Sequence, residues 1–395
     1  MTAIPGVRLA TAAAGIRYAG RTDVLLIELA EGGSCAAVFT RNAFCAAPVT
    51  VAREHLAKGS VRFLLINAGN ANAGTGAPGL RAARETCRLL AGMAGCALEQ
   101  VLPFSTGVIG NDLPVERFPP VIPGLLQSLE EDRWEVAAKA IMTTDTVPKL
   151  ATRTVQLDAG EVHVTGIAKG SGMICPDMAT MLGYVATDAA VPNALLHRML
   201  VEAVDTSFNR ITVDGDTSTN DACVLMASGK SGVLVDSYES DDGKRLRAAV
   251  SEVCAELAEM IIRDGEGATK LIRIRVESAG NDDEAAAVGY AVAHSPLVKT
   301  ALFASDPNWG RILAAVGRAG VSELDVDRVR IWLDDVAIVE HGGRHPDYTE
   351  AAGKDVMQRS EIQIRIDLGR GQAATEVLTC DLSYDYVKIN ADYRS

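Results

Sequence analysis

Residues 169–183 read Lys169-Gly-Ser-Gly-Met-Ile-Cys-Pro-Asp-Met-Ala-Thr-Met-Leu-Gly183. A basic, glycine-rich polar turn passes through Cys175-Pro176-Asp177 and runs into Met178-Ala-Thr-Met-Leu182. With Tyr184 and Val185, the second half opens an apolar strand. A hydroxyl residue at the mouth of a buried strand, directly after such a turn, is an unusual placement. The form recurs along the chain. Val61–Ile66 runs into Asn67-Ala-Gly-Asn-Ala-Asn-Ala-Gly-Thr-Gly76, and Val101–Phe104 into Ser105-Thr-Gly-Val-Ile-Gly110. Thr143-Thr-Asp-Thr146 follows a helical stretch, and Asp214–Asn220 separates two short apolar runs. Loops of this composition are either tight turns or places where backbone meets a ligand. Their repetition at the ends of apolar runs suggests convergence at one edge of a sheet.

The 395 residues suit two domains, and 48% apolar with 23% charged residues is ordinary for a soluble globular chain. A net charge of −13 without a basic run argues against a nucleic-acid surface. The eight Cys form no CxxC and the six His no metal-ligand spacing. Buried free thiols, no metal and a reducing, cytoplasmic setting follow as expectations. No run of 18 apolar residues and no secretory leader is visible.

The runs Asp23–Leu29 and Cys35–Thr40, split by Glu31-Gly-Gly33, have hairpin spacing. Helical periodicity marks 79–96, 124–141, 193–209 and 242–263. Strands are expected at 151–157 and 161–168, turning at Gly160, and at 271–276. Asn281 caps a helix running to about His294, and Pro307 enters the first turn of a helix over 306–318. Residues 328–389 are strand-rich, and a loose boundary falls near 280. The balance is α/β or α+β.

No P-loop, dinucleotide fingerprint or GxSxG elbow is present. Lys169-Gly-Ser-Gly172 reverses the P-loop order and no helix follows it. Cys175 has no identifiable base and reads as a packing residue. A Thr can serve as nucleophile with its own base if it becomes an N-terminus. An α-amino group titrates near about 7.7–8.0 and can take the hydroxyl proton. For Thr180 this requires a cut after Ala179, which residue chemistry alone does not supply.

The segments Lys169–Met173, Pro176 and Met178-Ala-Thr-Met-Leu182 resemble the self-cleaving signature of the ornithine acetyltransferase (glutamate N-acetyltransferase) family. The resemblance extends to Asn67–Asn72, Ser105–Gly110, Thr143–Thr146, Asp214–Asn220 and Gly265-Glu-Gly-Ala-Thr-Lys270. It continues through Ser305-Asp-Pro-Asn-Trp-Gly-Arg311 to Tyr386-Val-Lys-Ile-Asn390. Each string is short, but in order they cover essentially the whole chain.

The resemblance implies a layered α/β (α+β) sandwich of the self-processing aminopeptidase/ornithine acetyltransferase type, with a smaller strand-rich C-terminal domain. It implies self-cleavage between Ala179 and Thr180, giving an α chain (1–179) and a β chain. In the β chain, 180–280 completes the catalytic core and 281–395 forms the C-terminal domain. Two α and two β chains would assemble as a heterotetramer. Thr180 would take the acetyl group of N-acetylornithine and pass it to glutamate in an arginine-biosynthesis reaction. No cofactor is implied, and acetyl-CoA would be an additional donor in bifunctional members. Thr106 and Gly107 match the family's oxyanion hole. Thr143, Lys169, Thr180, Glu266, Asn390 and Ser395 match its substrate contacts. Lys169 suits a substrate carboxylate and Glu266 an ammonium. Ser395 stands where Thr is usual and keeps the hydroxyl; Asp177 stands where Asn is common and adds a charge near the cut. Two neighbouring readings differ in outcome. An aminopeptidase or amidase of the related fold would hydrolyse amides without transfer to glutamate. A non-catalytic amino-acid-binding protein would not be cleaved.

Overall fold

The computed structural model describes residues 2–175 and 181–392. The expected cleavage pair Ala179 and Thr180, together with Asp177 and Ser395, lies outside the described residues. Two compact units divide the chain: residues 1–209 with 216–261, and residues 210–215 with 262–395. The division falls at 261/262, ahead of the break expected near 280. Strand Leu271–Ala279 explains the difference: it is an interior strand of the second unit's sheet, and a break after it would sever that sheet.

The first unit holds two sheets among its described residues. One orders its strands Val7–Ala12, Val24–Leu29, Phe63–Asn70 and Val101–Val108. The other orders Ser34–Phe39, Ala222–Ala227, Leu182–Thr187, Gly160–Lys169 and Lys149–Leu157. Val24–Leu29 and Ser34–Phe39 therefore lie in different sheets and do not form the expected hairpin. Both runs are apolar on both faces. Pairing them would leave large side chains uncovered, at about 1.5–3 kcal/mol each. Crossing between sheets buries them instead. Leu25, Ile27 and Leu29 share the central core with Ala37, Phe39 and Tyr184. Phe104 meets Tyr184 edge-on across this core, with ring centroids 5.4 Å apart.

Helices cover the outer faces. Val24, Leu26 and Leu65 pack with Ala83, Cys87 and Leu90 of helix Gly76–Ala94. Helix Asn193–Asp205 lies on the second sheet, as does helix Asp241–Arg263. The backbone of Gly166 leaves room there for Val253 and Leu257. The first unit is thus a helix–sheet–sheet–helix sandwich, the layered α/β class expected.

The second unit carries a mixed sheet ordered Gly343–Arg344, Val336–Glu340, Arg330–Leu333, Glu361–Asp367, Leu271–Ala279, Ala373–Cys380 and Ile211–Thr212. Alternation is clean here. Ile272, Ile274 and Val276 face a helix-covered core with Ala285, Val288 and Val292, while Arg273 pairs with Glu361 and Glu376 on the other face.

Three local expectations change. The helix read over 124–141 is two helices, Ile122–Gln127 and Trp134–Ala140. Glu130 between them exchanges backbone hydrogen bonds with Leu9 and extends the first sheet's edge. The helix read over 193–209 ends at Asp205. Pro307 precedes the helix it was placed in: Asn308 caps Trp309–Gly317 by accepting from the Arg311 amide at 3.2 Å. Asn281 caps Asp282–Ala293 as expected, accepting from Glu284 at 2.8 Å.

Candidate active site

Three of the four polar loops expected to converge, 67–76, 105–110 and 214–220, do meet. Strands Phe63–Asn70 and Val101–Val108 are parallel, with Asn67 opposite Ser105 and Gly69 opposite Gly107. Both therefore deliver their following loops to the same edge. Ser105 Oγ donates to Asn67 Oδ1 at 2.7 Å, and Asn67 Nδ2 donates to the Asn70 carbonyl at 2.8 Å. Asn220, arriving from the second sheet, donates through Nδ2 to the carbonyls of Ala71 at 2.6 Å and Ser105 at 2.9 Å. One buried amide thus ties loops 67–76, 105–110 and 214–220 together.

Thr106 and Gly107 sit at this junction. Thr106 is buried, and Gly107 has φ of 135°, a region essentially reserved for glycine. A Cβ there would lie 2.3 Å from the Gly69 carbonyl carbon. The glycine permits both the backbone turn and the close strand approach. Such fixed backbone is what an oxyanion hole requires, since its donors must stay in place as charge develops.

Thr143 and Lys169 meet through a residue that sequence reasoning did not single out. Asp145 Oδ2 accepts from the Thr143 amide at 2.9 Å, and Oδ1 accepts from the Gly170 amide and the Lys149 ammonium, each at 2.7 Å. Thr144 Oγ1 and Ser171 Oγ lie 2.8 Å apart, a second strut between the same segments. Asp145 and Lys149 side chains are wholly buried. Burial works to raise the Asp145 pKa, but Lys169 and Lys149 outweigh it and hold the carboxyl down at about 2. The charged residue inside the hydroxyl-rich run 143–146 was the available sequence signal. Lys169 pairs with Leu182, and Leu182 with Ala222, so these three strand ends form one row. Asp221, next to that row, is buried. Desolvation lifts its pKa well above the carboxylate range, against Ser218 and Lys169, and its Oδ2 has no hydrogen-bond partner among the described residues.

In the second unit, Glu266 and Asn390 are in direct contact. Asn390 Nδ2 donates to Glu266 Oε2 at 2.8 Å and to the Tyr386 carbonyl at 3.0 Å. Ser383 caps helix Tyr384–Ala391 and donates to the Gly267 carbonyl at 2.7 Å, which docks the helix on loop 264–270. The Asp381 carboxylate accepts from the amides of Thr269 at 2.8 Å and Lys270 at 3.0 Å, fixing the other end of that loop.

The model of the ArgJ family matches residues 8–395. The chain belongs to the ArgJ family. An arginine biosynthesis bifunctional protein ArgJ of Methylococcus capsulatus is 61% identical over 99% of this chain and 96% of its own length. Among solved structures, the arginine biosynthesis bifunctional protein ArgJ of Bacillus halodurans is 38% identical, with a TM-score of 0.49 over 52% of this chain and 95% of that one. Ornithine acetyltransferase of Mycobacterium tuberculosis, solved in complex with ornithine, is 34% identical, with a TM-score of 0.42 over 45% of this chain and 94% of that one.

Among the described residues, no helix is long and apolar enough to cross a membrane, and no group of three or more His, Cys, Asp or Glu is arranged to hold a metal ion.

Proposed function

We propose that this member of the ArgJ family transfers the acetyl group of N-acetylornithine to glutamate, releasing ornithine and N-acetylglutamate in arginine biosynthesis. Family membership over residues 8–395 carries the proposal. The gathered loops at 67–76, 105–110 and 214–220, and the linked Thr143 and Lys169 segments, are consistent with a built amino-acid site.

Self-cleavage comes first. The Thr180 hydroxyl attacks the Ala179 carbonyl carbon, the peptide C–N bond breaks to leave an ester and a free α-amine, and water hydrolyses the ester. Thr180 is then both nucleophile and N-terminus. Its amine accepts the hydroxyl proton as the oxygen attacks the acetyl carbonyl of N-acetylornithine. The Thr106–Gly107 backbone receives the oxyanion. The proton returns to the departing ornithine amine, leaving acetyl-Thr180. The glutamate amine attacks this ester, and N-acetylglutamate leaves. Lys169 takes a substrate carboxylate, Glu266 an ammonium, and Thr143, Asn390 and Ser395 complete the contacts. The α (1–179) and β (180–395) chains remain together as two of each, in the cytoplasm. The name "bifunctional" carried by the relatives favours a second donor, acetyl-CoA, for glutamate acetylation.

Intact-mass measurement of the purified protein tests the scheme: two chains ending at Ala179 and beginning at Thr180 are expected, and Thr180→Ala stays whole and inactive. A whole chain with full transfer activity, or an active Thr180→Ala variant, would overturn it. Hydrolysis of amino-acid amides without acetyl transfer to glutamate would favour the aminopeptidase reading.

A further inference from the structure

We propose that Asp145 is the positioning residue of the amino-acid site, holding the Thr143 and Lys169 segments in one fixed geometry. The inference rests on the reading of Thr143 and Lys169 as substrate contacts. Both carboxylate oxygens are used as acceptors. Oδ2 takes the Thr143 amide, and Oδ1 takes the Gly170 amide and Lys149 Nζ. An Asn in this place has a single acceptor oxygen, so its NH2 would confront one of these donors. The bonds go to backbone at Thr143 itself and at the residue following Lys169, so a shift of the carboxylate moves both at once. Gly170 has φ of 150°, and a Cβ there would fall 2.9 Å from the Ile174 side chain, so the conformation that aims its amide at Asp145 requires glycine.

The charge has a second consequence. Lys169 lies in the field of Asp145, which also faces buried Lys149. Asp145 is therefore the buried carboxylate on which both lysines act, with Lys149 in direct contact at 2.7 Å. Lys149 neutralises the buried charge, whereas the amide bonds set positions. These two roles separate by mutation.

The test compares Asp145→Asn, Lys149→Met, the double variant, Asp145→Glu and Lys169→Met, measuring melting temperature and the kcat and KM for N-acetylornithine and glutamate. The double variant leaves no unpaired buried charge between positions 145 and 149. Its melting temperature is expected to recover relative to either single variant, while KM stays raised by about 10-fold, the loss of about 1.4 kcal/mol of substrate binding. Asp145→Glu keeps the charge but moves the oxygens, and KM is expected to rise there too. Wild-type KM in the double variant, or in Asp145→Glu, overturns the proposal and leaves Asp145 as a counter-ion for Lys149. Failure of the underlying reading looks different: no acetyl transfer by the wild type, or an unchanged KM in Lys169→Met.

Discussion

Replacing Gly107 by Ala probes the close approach of the two parallel strands that carries the expected oxyanion hole. The new Cβ would lie 2.3 Å from the Gly69 carbonyl carbon and 2.6 Å from the Asn70 amide nitrogen, both backbone atoms. Carbon atoms pack at about 3.5–4.0 Å, so the strands must part by more than ~1 Å. Holding Ala at φ of 135° adds strain of about 1–3 kcal/mol, and overpacking typically adds ~1–3 kcal/mol. The sum, on the order of 2–6 kcal/mol, lowers the melting temperature by about 4–24 °C for a body of this size. The moved segment is Thr106–Gly107 itself, and loss of one oxyanion donor costs about 10²–10³ in kcat. Gly110→Ala is the control: φ is also positive, at 86°, but a Cβ there meets nothing within 4 Å among the described residues. That variant should show strain of ~1–2 kcal/mol and nearly wild-type kcat. The assay is acetyl transfer from N-acetylornithine to glutamate, with melting followed on the same samples. A Gly107→Ala enzyme with wild-type melting temperature, or with kcat within about threefold of wild type, would refute the reasoning.

Lys149→Met leaves the buried Asp145 without its contacting ammonium and should cost ~3–5 kcal/mol in chemical denaturation; a loss below about 1 kcal/mol would contradict the burial argument. The folded-state pKa of Asp145, about 2, lies below the ordinary 3.8. Its stabilisation is therefore present above pH 3.8 and lost as pH falls toward 2, on the order of 2 kcal/mol. Melting curves of wild type and Asp145→Asn should accordingly converge across that window, and parallel curves would count against it. Asp221 has the opposite sign: its raised pKa gives stability below about pH 3.8 that is lost as pH rises. Asp221→Asn should thus gain on wild type between about pH 4 and 7, and a fixed difference would disprove this. Burial pushes the thiols of Cys35 and Cys87 up to about 12, so iodoacetamide at neutral pH should modify the half-buried Cys45 and Cys175 first; peptide mass spectrometry reads the order, and early labelling of Cys35 or Cys87 would oppose it.

The long periodic helices, the Gly160 turn and the Asn281 cap were readable because each depends on neighbours within a few residues. So was the family, because the motifs are local strings that keep their order. The loops at 67–76, 105–110 and 214–220 could be named as polar ends of apolar runs, and their meeting could be expected. Tertiary structure decided what distance along the chain conceals. The sheets claimed by Val24–Leu29 and Ser34–Phe39 depend on which faces find cover, and no spacing between the two runs encodes that. Glu130 broke a periodic helix because Leu9, far away in sequence, offered it a strand edge. Asn220 and Asp145 drew no notice as single polar residues. Their importance arises from burial, where each donor must find an acceptor and each charge a partner, and those partners are supplied by segments that only folding brings together.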